Sequence, residues 1–130
     1  MAEHPNVAVM RRAYDAFAKG DTATLSDLIA EDVAWHVGGH NILTGEYKGR
    51  EAVFGFFGRL AEETGGTFKL GIHALMADDE HGVALVENSA TRGDKTIEAR
   101  FAHIAHIRGG QLTEFWAFPE DRRAIDEFWS

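Results

Sequence analysis

The chain has 130 residues, no cysteine and a formal net charge of −8 at pH 7. A chain of that length closes one hydrophobic core as a single domain, and without cysteine it has no disulfide framework, thiolate metal site or thiol nucleophile. The negative balance, with Lys and Arg scattered rather than clustered, argues against nucleic acid and anionic membrane partners.

Pro5 suits the first turn of a helix, where its missing N–H costs nothing. Val7, Met10, Tyr14 and Phe17 then recur every three to four residues, an amphipathic stripe ending at Gly20. Asp21 reads as the N-cap of a second short helix with Leu25, Leu28 and Ile29 inward. Val33, Trp35 and Val37 alternate with Ala34 and His36, which predicts a first strand that breaks at Gly38-Gly39. A loop follows from His40 to Gly49. A third helix starts near Arg50 and buries Val53, Phe54, Phe57 and Leu60 before Gly65-Gly66 stops it. From there the period changes to two. Strands are predicted over Thr67–Ala77, Val83–Thr91, Thr96–Ile107 and Leu112–Pro119. The turns between them are Asp78–Gly82, Arg92-Gly93-Asp94 and Arg108-Gly109-Gly110-Gln111. A short helix over Glu120–Trp129 closes the chain with Ile125, Phe128 and Trp129. Helices followed by a meander predict an α+β fold with helices on one face of a bent sheet. No apolar stretch reaches membrane-span length. The segment Met1-Ala2-Glu3-His4-Pro5 has no basic region leading into an apolar run, so no signal peptide is expected. Cysteine-free composition fits a reducing cytoplasm.

Several segments, in this order, resemble the SnoaL-like branch of the nuclear transport factor 2-like superfamily. They are Ala13-Tyr14 with Lys19-Gly20-Asp21, Glu31 to His36, Gly45 to Val53, and Ile107-Arg108-Gly109-Gly110-Gln111-Leu112. The resemblance covers nearly the whole chain. It implies a cone-shaped, curved, mixed or antiparallel sheet wrapped around the N-terminal helices, a pocket inside the cone, and a homodimer formed through the sheet. It does not imply one activity, because this shape hosts unrelated chemistries. Carried onto this chain, the general-base aspartate of the ketosteroid isomerases falls near Val37. Their hydrogen-bonded acid falls at His103, their first-helix tyrosine at Ala13, one place from Tyr14, and a second pocket tyrosine at Phe57. The last-strand aspartate of the limonene-epoxide hydrolases falls near Ala117. Neither residue set is present, so neither reaction is implied.

On the long strand Ile97, Ala99, Phe101, His103, Ala105 and Ile107 share one face, apolar except for His103. A lone imidazole among core positions must find a hydrogen-bond partner or water, because an unsatisfied buried polar group costs roughly 1–3 kcal/mol. It is either a satisfied core histidine or a neutral imidazole that exchanges hydrogen bonds or protons with a ligand. Tyr14 brings the one hydroxyl of the first helix's buried stripe and is a candidate to assist it. A three-residue turn at Arg92-Gly93-Asp94 would set Val83 opposite His103 and turn Glu87 to the same face, roughly 13 Å along the strand. Glu87 is then a ligand contact or a residue of the sheet edge or dimer seam. With a two-residue turn at Gly109-Gly110, Trp116 lies opposite His103; with a glycine bulge, Phe115 takes that place and Trp116 points outward. Trp35, Val37, Phe57 and Phe101 are further candidate walls of the pocket, and His40 and Tyr47 candidate mouth residues.

No metal site is expected. His36 and His40 do not share a helical turn, and His103 and His106 point to opposite faces of a strand. No cofactor is expected either. The first functional reading is a cofactor-independent enzyme of isomerase, cyclase or lyase type acting on a small hydrophobic carbonyl compound. The others are a non-catalytic small-ligand-binding module and a dimeric interaction protein whose cone is filled by its own side chains. The last strand, with Phe115 and Ala117 on one face and Trp116 and Phe118 on the other, predicts a covered second face and hence dimerisation.

Overall fold

Helix α1 (Pro5–Lys19) begins at its proline and presents Val7 and Met10 to the core. The computed structural model describes residues 3–130; Met1 and Ala2, part of the segment read for a leader, lie outside the described residues. Asp21 caps α2 (Thr22–Leu28) by accepting from the Thr24 N–H. Strand β1 (Ile29–Val37) follows with no intervening loop, so Ile29 is its first residue rather than a helical one. The predicted loop contains a four-residue strand, β2 (Gly45–Lys48), which pairs antiparallel with β1 through Trp35↔Tyr47.

Helix α3 (Arg50–Glu63) buries Val53, Phe56 and Leu60. Its apolar face is wider than predicted, and Phe54 and Phe57 are half-buried beside Phe56. Three long strands follow as predicted: β3 (Lys69–Ala77), β4 (His81–Arg92) and β5 (Lys95–Arg108). Strand β6 (Gln111–Pro119) and helix α4 (Arg122–Phe128) complete the chain.

The six strands form one curved, unclosed sheet in the order β2-β1-β6-β5-β4-β3. It is mixed, because β1 runs parallel to β6 while the other pairs are antiparallel. The helices cover its inner face, and the core lies between them. Among the described residues no helix is long and apolar enough to cross a membrane.

Two local features set which side chains face inward. The β4–β5 turn has two residues, because Arg92 pairs with Lys95 across Gly93-Asp94. Gly93 at φ 63 supplies the left-handed first position such a turn requires. Ala84 therefore lies opposite His103, and Glu87 lies opposite Arg100 on the exposed outer face. The β5–β6 turn also has two residues, with Arg108 opposite Gln111, but the register slips between His106 and Ile107. That bulge puts Ala117 opposite His103 and sends Trp116 to the outer face, opposite Ile104.

Candidate functional site

The inner face of the sheet, α1, α3 and α4 enclose a cavity of about 140 Å³. That is close to the ~150 Å³ of an apolar cavity able to take benzene. Aromatic rings make most of its wall. Trp35 stacks on Phe115 at 3.8 Å between centroids and 13° between planes, and meets Phe57 edge-on at 5.4 Å. A groove of about 590 Å³ between α1, α3 and the start of β3 shares Phe17, Phe57, Phe68 and Leu70 with the cavity.

The polar corner of this space is a pair. Strand β5 points His103 inward, 6% exposed, and α1 brings Tyr14 over it with a hydroxyl-to-Nδ1 distance of 2.7 Å. The pairing answers what the imidazole bonds to. Burial lowers the His103 pKa to about 3 and pushes the Tyr14 phenol well above its ordinary value. Both groups are therefore neutral near pH 7. The Phe101 and Phe115 rings flank the imidazole at 5.9 and 4.9 Å. The other polar side chains on the wall are Asn41 and Asn88, so no charged group lines the cavity. Asn41 is held in the structure, donating to Asp126 and accepting from the Leu43 N–H.

Tyr14, Trp35, Val37, Phe57, Phe101, His103 and Phe115 all reach this one space, from three strands and two helices. Four expected contacts do not. Glu87 faces outward because the β4–β5 turn is one residue shorter than read. Trp116 faces outward because of the β6 bulge, and stacks on His36 at 5.2 Å. His40 is exposed, and its backbone N–H donates to Asp126. Tyr47 lies behind the wall, donating to the Leu43 carbonyl at 2.6 Å and packing on Phe56. Asn88 was missed. The same short turn that expels Glu87 brings it in, and the glycine at the first position of a two-residue turn was the available signal.

The outer face carries its own polar cluster, in which Glu114 pairs with His36 at 2.7 Å and with His106 at 3.3 Å. Among the described residues no group of three or more His, Cys, Asp or Glu is placed to hold a metal ion.

Residues 10–115 match the SnoaL-like domain. Bal32a, from a soil-derived mobile gene cassette, superposes with a TM-score of 0.93 at 36% identity, over 96% of each chain. An uncharacterized protein of Mycobacterium tuberculosis is 29% identical over 100% of both chains. IdmH from Streptomyces antibioticus, proposed as a polyketide cyclase, shares the fold with a TM-score of 0.75 at 17% identity, covering 90% of this chain and 93% of its own. A family match over most of its length, on this curved sheet with its inner cavity, establishes that the chain belongs to the SnoaL-like domain family and has the nuclear transport factor 2-like fold.

Proposed function

We propose that this protein holds a small, uncharged, hydrophobic carbonyl compound in its cavity and promotes cofactor-independent acid/base chemistry on it, of isomerase, cyclase or lyase type. The observation that carries this reading is the Tyr14–His103 hydrogen bond, 2.7 Å long, set into a largely apolar, aromatic wall. A phenol is the better donor and an imidazole nitrogen the better acceptor, so Tyr14 donates to Nδ1. The ring then carries its proton on Nε2, free to donate to a ligand oxygen.

Because neither group ionises readily, the pair polarises a carbonyl rather than handing over a proton. As a C–H bond beside the carbonyl breaks, the negative charge gathering on oxygen meets a fixed donor in a site with little competing water. The proton leaves to water or to a basic atom of the compound itself, since no carboxylate lines the cavity. Suitable substrates therefore carry acidic C–H bonds next to a carbonyl. The use of the same fold by a proposed polyketide cyclase supports this class.

The low basicity of His103 favours a second reading, a non-catalytic module that holds the same compound unchanged. The open cavity speaks against a cone filled by its own side chains. On the outer face, Met76 and Phe118 are 48% and 45% exposed beside half-buried Leu85, Ile104 and Trp116. A homodimer joined through that face covers them.

The test uses β-tetralone, a bicyclic ketone with acidic C–H bonds. Calorimetry reads its binding, and NMR in D2O reads exchange of the protons beside its carbonyl. An enzyme accelerates exchange, with His103→Leu slower by about 100-fold. Binding without acceleration selects the ligand-binding module. Absence of binding to the wild type refutes the pocket reading.

A further inference from the structure

We infer that Asn88 is the second polar contact of the bound compound, and that the cavity therefore selects a flat two-ring molecule with an oxygen function at each end. The inference rests on the reading that the cavity binds a carbonyl compound, and adds the far end of that compound. Asn88 lines the cavity, in a row with Leu70 and Ala99 on the neighbouring strands. Its Oδ1 is sealed from solvent, the one such side-chain atom without a hydrogen-bond partner among the described residues. Buried polar atoms are nearly always paired, and an unpaired one weakens the fold. A leucine has the same branching and the same number of side-chain heavy atoms, and would suit this apolar wall better, unless the amide meets a ligand.

Position and chemistry narrow what that ligand is. His103 lies opposite Ala84, and Asn88 is four residues further along the same strand, roughly 13 Å by strand rise. Where the two side chains stand off the sheet side by side, that backbone separation carries over to their polar ends, and a hydrogen bond of about 2.9 Å at each leaves roughly 7 Å between the ligand's polar atoms. Two fused six-membered rings span that gap. The rings of Phe17, Phe57 and Phe101 favour a flat body between the two polar ends, and Phe17 and Phe57, which also line the neighbouring groove, have open space on their other side into which they can yield for the second ring. A half-turn of the amide exchanges its donor and acceptor, so a hydroxyl on the ligand is served in either sense. With only neutral groups on the wall, that hydroxyl and the carbonyl are both uncharged.

The experiment compares β-tetralone with its derivative hydroxylated at the far end of the aromatic ring, binding each by calorimetry to the wild type and to Asn88→Leu. The hydroxylated ketone is expected to bind the wild type about 3- to 10-fold more tightly than β-tetralone, and Asn88→Leu to abolish that difference while still binding β-tetralone. The same variant is expected to melt about 3 °C higher without ligand, because it removes the unpaired amide. If β-tetralone binds but the hydroxyl brings no gain, or the gain survives in Asn88→Leu, the inference is overturned and the carbonyl-binding reading stands. A lower melting temperature for Asn88→Leu overturns it as well, by making the amide structural. If neither ketone binds the wild type, both readings fall.

Discussion

His103 makes the folded protein sensitive to acid by an amount that its surroundings set. Burial lowers its pKa from 6.5 to about 3, and the side chain has almost no contact with solvent. Below about pH 6.5 the unfolded chain takes up a proton at this residue, while the folded chain does not until about pH 3. The contribution is therefore flat above pH 6.5, and stability falls as the pH drops, by up to about 1.4 kcal/mol per unit. At about pH 5 the loss amounts to roughly 2 kcal/mol, and it hardly changes so long as the folded value lies below about 4. The variant His103→Asn removes the titration and keeps an acceptor near the place of Nδ1 for the Tyr14 hydroxyl. Urea unfolding of both proteins at about pH 7.5 and about pH 5 gives the comparison. The other titrating groups are common to both and cancel in the difference. The wild type is expected to lose about 2 kcal/mol more than the variant between the two conditions. Parallel losses would show that His103 protonates freely in the folded state, and the dry, neutral pair would have to be abandoned.

Three further outcomes follow from the same contacts. Tyr14→Phe leaves Nδ1 of His103 without its donor, so stability should fall by about 1–2 kcal/mol and β-tetralone should bind about 3-fold more weakly, read by melting and calorimetry; an unchanged variant would show that the hydrogen bond is idle. Gly82→Ala drives a new Cβ onto the buried Met10 sulfur and to within 3.0 Å of Ile107, so a loss of about 1–3 kcal/mol is expected in urea unfolding. A neutral result there would mean that the helix-to-sheet packing at the base of α1 gives way easily. Sedimentation at micromolar concentration is expected to show a dimer for the wild type and a monomer for Phe118→Lys, which puts a charge on the outer face; a monomeric wild type defeats the dimer.

The long strand was legible because its alternation is strong: five apolar residues and His103 on one face leave little choice of orientation. Tyr14 was legible for the parallel reason on a helix. What escaped were single-residue events. Side chains alternate with a period of two, so counting one residue too many in the Gly93 turn exchanged Glu87 for Asn88. In β6 the two-residue turn at Gly109-Gly110 was one of the alternatives read, yet a bulge further along, at the register slip beside Ile107, undid the pairing drawn from it. Strand β2 is short and one-sided, and Gly45-Glu46-Tyr47-Lys48 becomes a strand by pairing with β1 rather than by its own pattern. The neutrality of the cavity was only half visible. Its apolar residues stand in the sequence, but the depth that suppresses the charge of His103 is a property of packing.

The row across the sheet that contains His103 explains how this cavity holds a titratable side chain without giving it a charge. Val37 pairs with Ala117, Ala117 with His103, and His103 with Ala84, so four strands place these side chains side by side on the inner face. Val37 and Ala117 are the positions onto which the sequence resemblance carries the carboxylates of ketosteroid isomerases and limonene-epoxide hydrolases. Here both are apolar, and the one titratable member of the row is held neutral by the same apolar neighbours. A carboxylate beside His103 would stabilise the imidazolium and turn the pair into a base. Without one, the row can only present a hydrogen bond to a ligand oxygen. On the proposed function, the chemistry is then left to compounds whose own carbonyl already makes the adjacent C–H acidic, and selectivity falls to the far end of the cavity, where Asn88 Oδ1 stands without a partner.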